Sequence, residues 1–157
     1  MTAVQRGPVA DPDAVRAIAA EAEAADGVAP LSEQFLLGIE GDGPHLVAPA
    51  GYAGVVVPPA GGPGAAEVVV APSGRRRGLG RALVTGALEL VGDGGTVWAH
   101  GDLPAARAVA AGLGLTAVRI LLNLRRPLTG AEPAPSNPRA CACAPTPAPR
   151  TMRRSSP

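Results

Sequence analysis

The sequence predicts an α/β domain, a mixed central sheet flanked by helices, over residues 3–127, followed by a disordered C-terminal tail. Three observations predict it. Stretches with apolar residues at helical spacing alternate with short β-branched runs, in the order α, α, β, β, β, α, β, α, β. Glycine and proline mark most of the boundaries between them. From Pro127 onward Pro and Ala replace any apolar periodicity, so residues 128–157 cannot bury enough surface to offset their ordering entropy.

Each element has a local reason. Asp11-Pro12 reads as an N-cap followed by proline at the first helical position, with Val15, Ile18, Ala19 and Ala22 on one face and Gly27 as the stop. Ser32 is placed to cap a second, shorter helix carrying Phe35, Leu36 and Ile39 as far as Gly41. The stretch HLVAPAGYAGVVVP is two apolar runs broken by Pro49 and Gly51, a hairpin pattern. AAEVVVAP, Ala65 to Pro72, is a β-branched run suited to a buried central strand. Leu79, Leu83, Val84, Ala87, Leu88 and Val91 recur at helical spacing up to Gly92. TVWAH, Thr96 to His100, is the next strand, and Asp102 is placed to cap a helix from Leu103 to Ala111. TAVRILLNLRR then predicts a last strand over 116–125.

Composition bounds the function. With 14 basic and 13 acidic residues the net charge is +1, which gives no global field for nucleic acid or an anionic membrane. Aromatics are 2% of the chain, so stacking platforms for single-stranded nucleic acid are missing as well. No apolar run approaches the roughly 20 residues of a membrane span, and no signal peptide is visible; the expectation is a cytoplasmic protein without a membrane partner. Cys141 and Cys143 stand as C-x-C in the Pro/Ala tail, far in sequence from His45 and His100, so no metal site is expected.

The stretch APSGRRRGLGRAL, Ala71 to Leu83, places four arginines and three glycines where a strand passes into a helix. Positive charge at a helix N-terminus opposes the macrodipole by a few tenths of a kcal/mol per charge unless an anion sits there. No Gly-Lys-Ser/Thr follows, so this is no Walker loop, and Leu83 stands where a dinucleotide fingerprint needs its third glycine. Glycines admit phosphate oxygens close to backbone amides, and arginines add charge-assisted contacts, so a pyrophosphate suits Arg75, Gly78 and Gly80. A solvated turn is the competing reading of Arg75 to Arg77. Three further groups stay open between roles. Glu33 is either a first-turn acid complementing its helix dipole or a substrate contact. Glu67 is either a general base or an edge residue facing water. His100 ends a strand beside the candidate cleft, or packs next to Asp102.

AAEVVVAPSGRRRGLGRAL resembles the acyl-CoA loop of the GNAT N-acetyltransferases, and PAARAVAAGLGL, Pro104 to Leu115, is similar to that family's next helix and closing Leu-Gly-aromatic signature, with Leu115 in the aromatic place. The resemblance covers about half the chain. It implies the GNAT fold, acetyl-CoA as co-substrate and a small-molecule amine as acceptor. It further implies that Val68, Val69 and Val70 line the pantetheine, and that Arg76, Arg77, Gly78, Leu79, Gly80 and Arg81 join Arg75 in holding the pyrophosphate. DGVAPLSEQFLL and VWAHGDLPAARAVAAGLGL resemble the N-terminal half of the two-domain, mycothiol-forming branch of the family, which implies an acceptor contact from Glu33 and a cysteinyl amine on a glucosaminyl-inositol as acceptor. Two departures accompany it. Ala110 occupies the place where many members carry a tyrosine general acid. The Pro/Ala tail stands where a second GNAT domain would begin, which leads us to expect a truncated or frameshifted chain. A non-catalytic acetyl-CoA-binding domain is the alternative function.

Overall fold

The computed structural model describes residues 4–127. The chain divides into a compact unit, Met1–Val118, and a second unit from Arg119. The first holds every helix and strand among the described residues: β1 (Gln5–Arg6), α1 (Pro12–Asp26), α2 (Glu33–Leu37), β2 (His45–Ala48), β3 (Gly51–Val56), β4 (Ala65–Val70), α3 (Leu79–Val91), β5 (Thr96–Trp98) and α4 (Pro104–Gly112). Short 3₁₀ turns follow α2, β4 and β5.

Local chemistry builds the helices. The Asp11 carboxylate accepts the Ala14 amide at 3.0 Å, Pro12 stands in the first turn, and Gly27 ends α1 in the left-handed region at φ 71°. At the end of α4 the Leu115 amide bonds back to the Ala110 carbonyl and the Gly114 amide to Ala111, a Schellman-type closure that requires Gly114 at φ 70°. That closure is the structural content of the Leu-Gly-Leu sequence.

The five strands lie in the order β1-β2-β3-β4-β5, antiparallel as far as β4, with β5 parallel to β4. Alternation sorts the side chains into two cores. On one face Tyr52 and Val69 pack with Val15, Ala19 and Ala22 of α1 and with Leu31, Phe35 and Ile39 around α2. On the other, Leu46, Ala53, Val55 and Ala66 meet Leu79, Leu83, Ala87 and Val91 of α3. Fully burying a side chain of the size of Ile39 or Leu83 contributes about 1.5–3 kcal/mol. The result is a helix–sheet–helix sandwich with β4 inside the sheet.

Some sequence expectations are corrected. The strand after Gly95 stops at Trp98, and His100 belongs to the turn beyond it. Asp102 does not cap α4; Leu103 precedes the helix, and the Asp102 carboxylate is paired with Arg107. Ser32 precedes α2 without a side-chain cap bond. β1, two residues long, was not expected, because so short a segment carries no period to read. Most consequentially, residues 116–125 form no strand. Strand propensity is expressed only against a partner ladder, and none of the five strands pairs with this run. Val118, at the end of the first unit, and Ile120, Leu121, Leu122 and Leu124, in the second, are 65–87% exposed. The compact unit closes at Val118. The tail expected to be disordered, with its two cysteines, lies outside the described residues.

Candidate functional site

β4 pairs with β3 along its whole length, from Ala65 opposite Val56 to Val70 opposite Gly51. With β5 it pairs only at Ala65, Ala66 and Glu67, the last opposite Trp98. Beyond Glu67 the two strands part. The Ala71 amide bonds to Ala50 at 2.9 Å on the β3 side, so by alternation Val70 and Val68 turn their backbone groups the other way, into the fork. The Val70 carbonyl there accepts the Arg75 Nε–H at 3.2 Å, which leaves the Val68 carbonyl and the Val70 amide facing the gap. Of the three expected valines, then, Val69 does not line the fork: its backbone faces Tyr52 on β3 and its side chain is buried against α1 and α2.

The loop from β4 to α3 is fixed by close approach. A Cβ on Gly74 would stand 2.7 Å from the Ala50 Cβ and 3.1 Å from its carbonyl oxygen, so only glycine lets the loop lie against the β2–β3 turn. Arg76 at φ 61° and Gly78 at φ 78° then curl the chain into α3. Among the described residues, the amides of Arg76, Arg77, Gly78, Leu79, Gly80 and Arg81 donate to no acceptor. Six consecutive amides at a helix N-terminus, with the macrodipole behind them, form a cradle for an anion. A Cβ on Gly80 would sit in ordinary contact between Val70 at 3.7 Å and Val109 at 3.9 Å.

The arginines divide. Arg75 is withdrawn from the cradle: its guanidinium forks onto Asp26 at 2.8 and 2.7 Å, tying the loop to the end of α1. Planar bidentate pairing with a carboxylate accounts for this use. Arg76 and Arg77 are exposed and form no ion pair with the other described residues. Arg81 reaches toward α4, with Nη1 3.3 Å from where a Gly112 Cβ would stand. Leu79 is buried in the core and offers only its amide.

Glu67 is not an edge residue facing water. It is 4% exposed, on the α1–α2 face of the sheet. Its Oε2 accepts the Ser32 amide at 2.6 Å, at the start of α2, and its Oε1 lies 3.0 Å from His100 Nε2. That second approach is an ion-pair distance without the alignment of a hydrogen bond, which leaves the buried Nε2 without one. Glu33, one residue beyond Ser32, is exposed in the first turn of α2. Sequence reasoning singled out His100 and Glu67 separately; the structure brings them together at the fork.

Tyr52, the one tyrosine of the chain, is wholly buried in β3. Its hydroxyl lies 2.9 Å from His45 Nδ1, and His45 Nε2 lies 3.1 Å from the Gly41 carbonyl. A carbonyl only accepts, so Nε2 carries the hydrogen and Tyr52 donates to Nδ1. Ala110, in α4, has no proton to offer. No group of three or more metal-ligating side chains is assembled among the described residues, and no helix there is long and apolar enough to cross a membrane.

The acetyltransferase (GNAT) family pattern matches residues 12–114. The chain is 70% identical over 138 residues to the mycothiol acetyltransferase of Tsukamurella paurometabola, covering 88% of this chain and 47% of that one. The mycothiol acetyltransferase of Nocardia farcinica is 52% identical over 123 residues, covering 74% and 41%. The chain thus spans about half the length of the curated relatives it matches. A solved structure of a putative acetyltransferase from Agrobacterium tumefaciens str. C58 superposes with a TM-score of 0.51 at 20% identity, over 79% of this chain and 99% of that one, a likeness of fold.

Proposed function

Since the chain belongs to the GNAT acetyltransferase family, we propose that it binds acetyl-CoA across the β4–β5 fork and transfers the acetyl group to an amine. The six unbonded amides from Arg76 to Arg81 carry this reading. They suit a pyrophosphate, with Arg76 and Arg77 as exposed countercharges. The Val68 carbonyl and Val70 amide in the fork suit the amide groups of a pantetheine arm, extended like an added strand. Holding the thioester at a fixed place beside the acceptor amine supplies the proximity that amine attack needs. The proton lost by the amine leaves toward the fork, where Glu67 is the buried carboxylate.

The acceptor we infer from the sequence resemblance is the cysteinyl amine of a glucosaminyl-inositol, with Glu33 at its binding side and a second GNAT domain as the partner. A cytoplasmic setting goes with the same reading. A second reading is favoured by Ala110, which has no proton to offer: a domain that binds acetyl-CoA without turning it over. Titration with acetyl-CoA, desulfo-CoA and 3′,5′-ADP at one ionic strength tests the fork. Desulfo-CoA binding far better than 3′,5′-ADP is the expected result; equal affinities would remove the pantetheine from β4. Thiol release in the presence of the cysteinyl-glucosaminyl-inositol then separates the enzyme from the binding domain.

A further inference from the structure

A cavity lies apart from the fork, where α2 and the loop into β2 cross strands β2 and β3. It encloses about 280 Å³, and no residue of β4, β5 or α3 lines it. That volume is just under the roughly 300–1,000 Å³ usual for ligand pockets. Phe35, His45, Tyr52 and Gly54 form its buried part, while Val56 and Val57 in its wall are 37% and 42% exposed. No Lys, Arg, Asp or Glu belongs to the lining. A charged guest would lose its hydration there and meet no countercharge.

The polar part of this cavity is fixed in place. The rings of His45 and Tyr52 stack with centroids 5.8 Å apart, and the Gly41 carbonyl anchors His45 through Nε2–H. Both ring nitrogens are therefore engaged, one donating to Gly41 and one accepting from Tyr52. The Tyr52 hydroxyl spends its hydrogen on His45 Nδ1, so its oxygen has only acceptor capacity left. Gly54 makes room for it: a Cβ there would stand 2.9 Å from the Tyr52 hydroxyl and 2.9 Å from the Phe35 ring. A guest can thus donate a hydrogen to this pair, and a lone pair of its own finds no hydrogen there to accept.

We infer that this cavity binds a small uncharged alcohol or phenol, with its apolar body against Phe35, Val56 and Val57 and its hydroxyl donating to Tyr52 Oη. The volume suits a guest of about one six-membered ring. The missing countercharge selects neutral molecules over carboxylates and amines. The lone pair on Tyr52 selects a hydrogen-bond donor over an ether or a hydrocarbon of the same shape. None of the lining residues belongs to the fork or the anion cradle, so the site stands whether or not acetyl-CoA is bound.

NMR titration of the full chain, isotope-labelled in the ring of its one tyrosine, tests the inference, because a single signal reports the buried part of the cavity. At neutral pH phenol is expected to move that signal saturably. Anisole and toluene, which have no hydrogen to give, should bind about threefold to tenfold more weakly, the worth of one hydrogen bond. Benzoate should cause no saturable shift, and saturating acetyl-CoA should leave the phenol affinity unchanged. Gly43→Val should weaken phenol binding by about tenfold or more with the thermal midpoint kept. A Cβ on Gly43 meets only the Val55 carbonyl oxygen at 3.6 Å and the His45 ring at 3.8 Å, and the added methyls take up the guest's space. Gly43→Ala, which brings a single methyl in ordinary contact, repeats the test with a smaller loss if valine lowers the midpoint. A phenol shift that stays linear overturns the inference. So does anisole, toluene or benzoate binding as well as phenol, wild-type affinity in both Gly43 variants, or displacement of phenol by acetyl-CoA.

Discussion

At the scale of single residues, two positions carry sharp expectations. Gly80 stands in the first turn of α3 beneath the six unbonded amides, and space for a Cβ exists between Val70 and Val109. Gly80→Val should therefore leave the domain folded while its branched side chain crowds the approach of phosphate oxygens. Isothermal titration should show acetyl-CoA binding weaker by about tenfold or more, with Gly80→Ala in between. Tyr52 gives a pH dependence. Burial pushes its phenol from 10.0 up to about 12. Below pH 10 the phenol is protonated in the folded and the unfolded chain alike. Between 10 and about 12 only the unfolded chain ionises, so stability falls as pH rises through that window, by about 2–3 kcal/mol. As the chain has one tyrosine, tyrosinate absorbance followed with circular dichroism reads this residue alone. Absorbance rising well before the loss of structure would contradict the burial argument.

At the scale of elements, the Arg75–Asp26 fork ties the β4–α3 loop to the end of α1, and Arg75 adds a bond to the Val70 carbonyl. The pair is part-exposed, 31% and 18% for the two side chains, so solvent screens some of its value. Arg75→Lys loses the planar fork and should cost about 1–2 kcal/mol, seen as a thermal midpoint lower by several degrees. Arg77→Lys, at an exposed position, should leave the midpoint unchanged. What the sequence discloses of these elements follows the range of the forces involved. α1, α3 and the β2–β3 hairpin are legible because their caps, periods and turn residues are local. The anion cradle is legible for the same reason, since Gly78 and Gly80 sit inside one short stretch. The partners of Arg75 and Glu67 are not, because Asp26 lies 49 positions from Arg75, and Ser32 lies 35 from Glu67. No pattern within a helix or strand announces a contact that only the assembled sheet brings about.

At the scale of the whole molecule, the apolar run after α4 shows the reverse failure, a strong local signal without the partner that would express it. Val118, Ile120, Leu122 and Leu124 alternate with Arg119, Leu121, Asn123 and Arg125, the pattern of a half-buried strand. Its apolar members are exposed here. An exposed alternating apolar run favours association between chains. The double substitution Ile120→Lys, Leu122→Lys should raise the concentration at which the protein stays monodisperse by light scattering, with the thermal midpoint nearly unchanged. A large fall in the midpoint would show that these side chains support the folded unit after all.

The register that ends the β4–β5 ladder has a practical consequence. Its last pair sets Glu67 opposite Trp98, and Trp98 is the single tryptophan of the chain, half-buried beside the opening of the fork. The protein therefore carries its own optical probe, one indole with no other to dilute its emission. Any ligand drawn between the two strands changes the solvent and the charges around that ring, so occupancy can be followed by intrinsic fluorescence without a label. A ligand confined to the loop amides would leave the emission nearly still. One spectrum thus distinguishes a molecule held by its phosphates from one threaded down to the point where the strands divide.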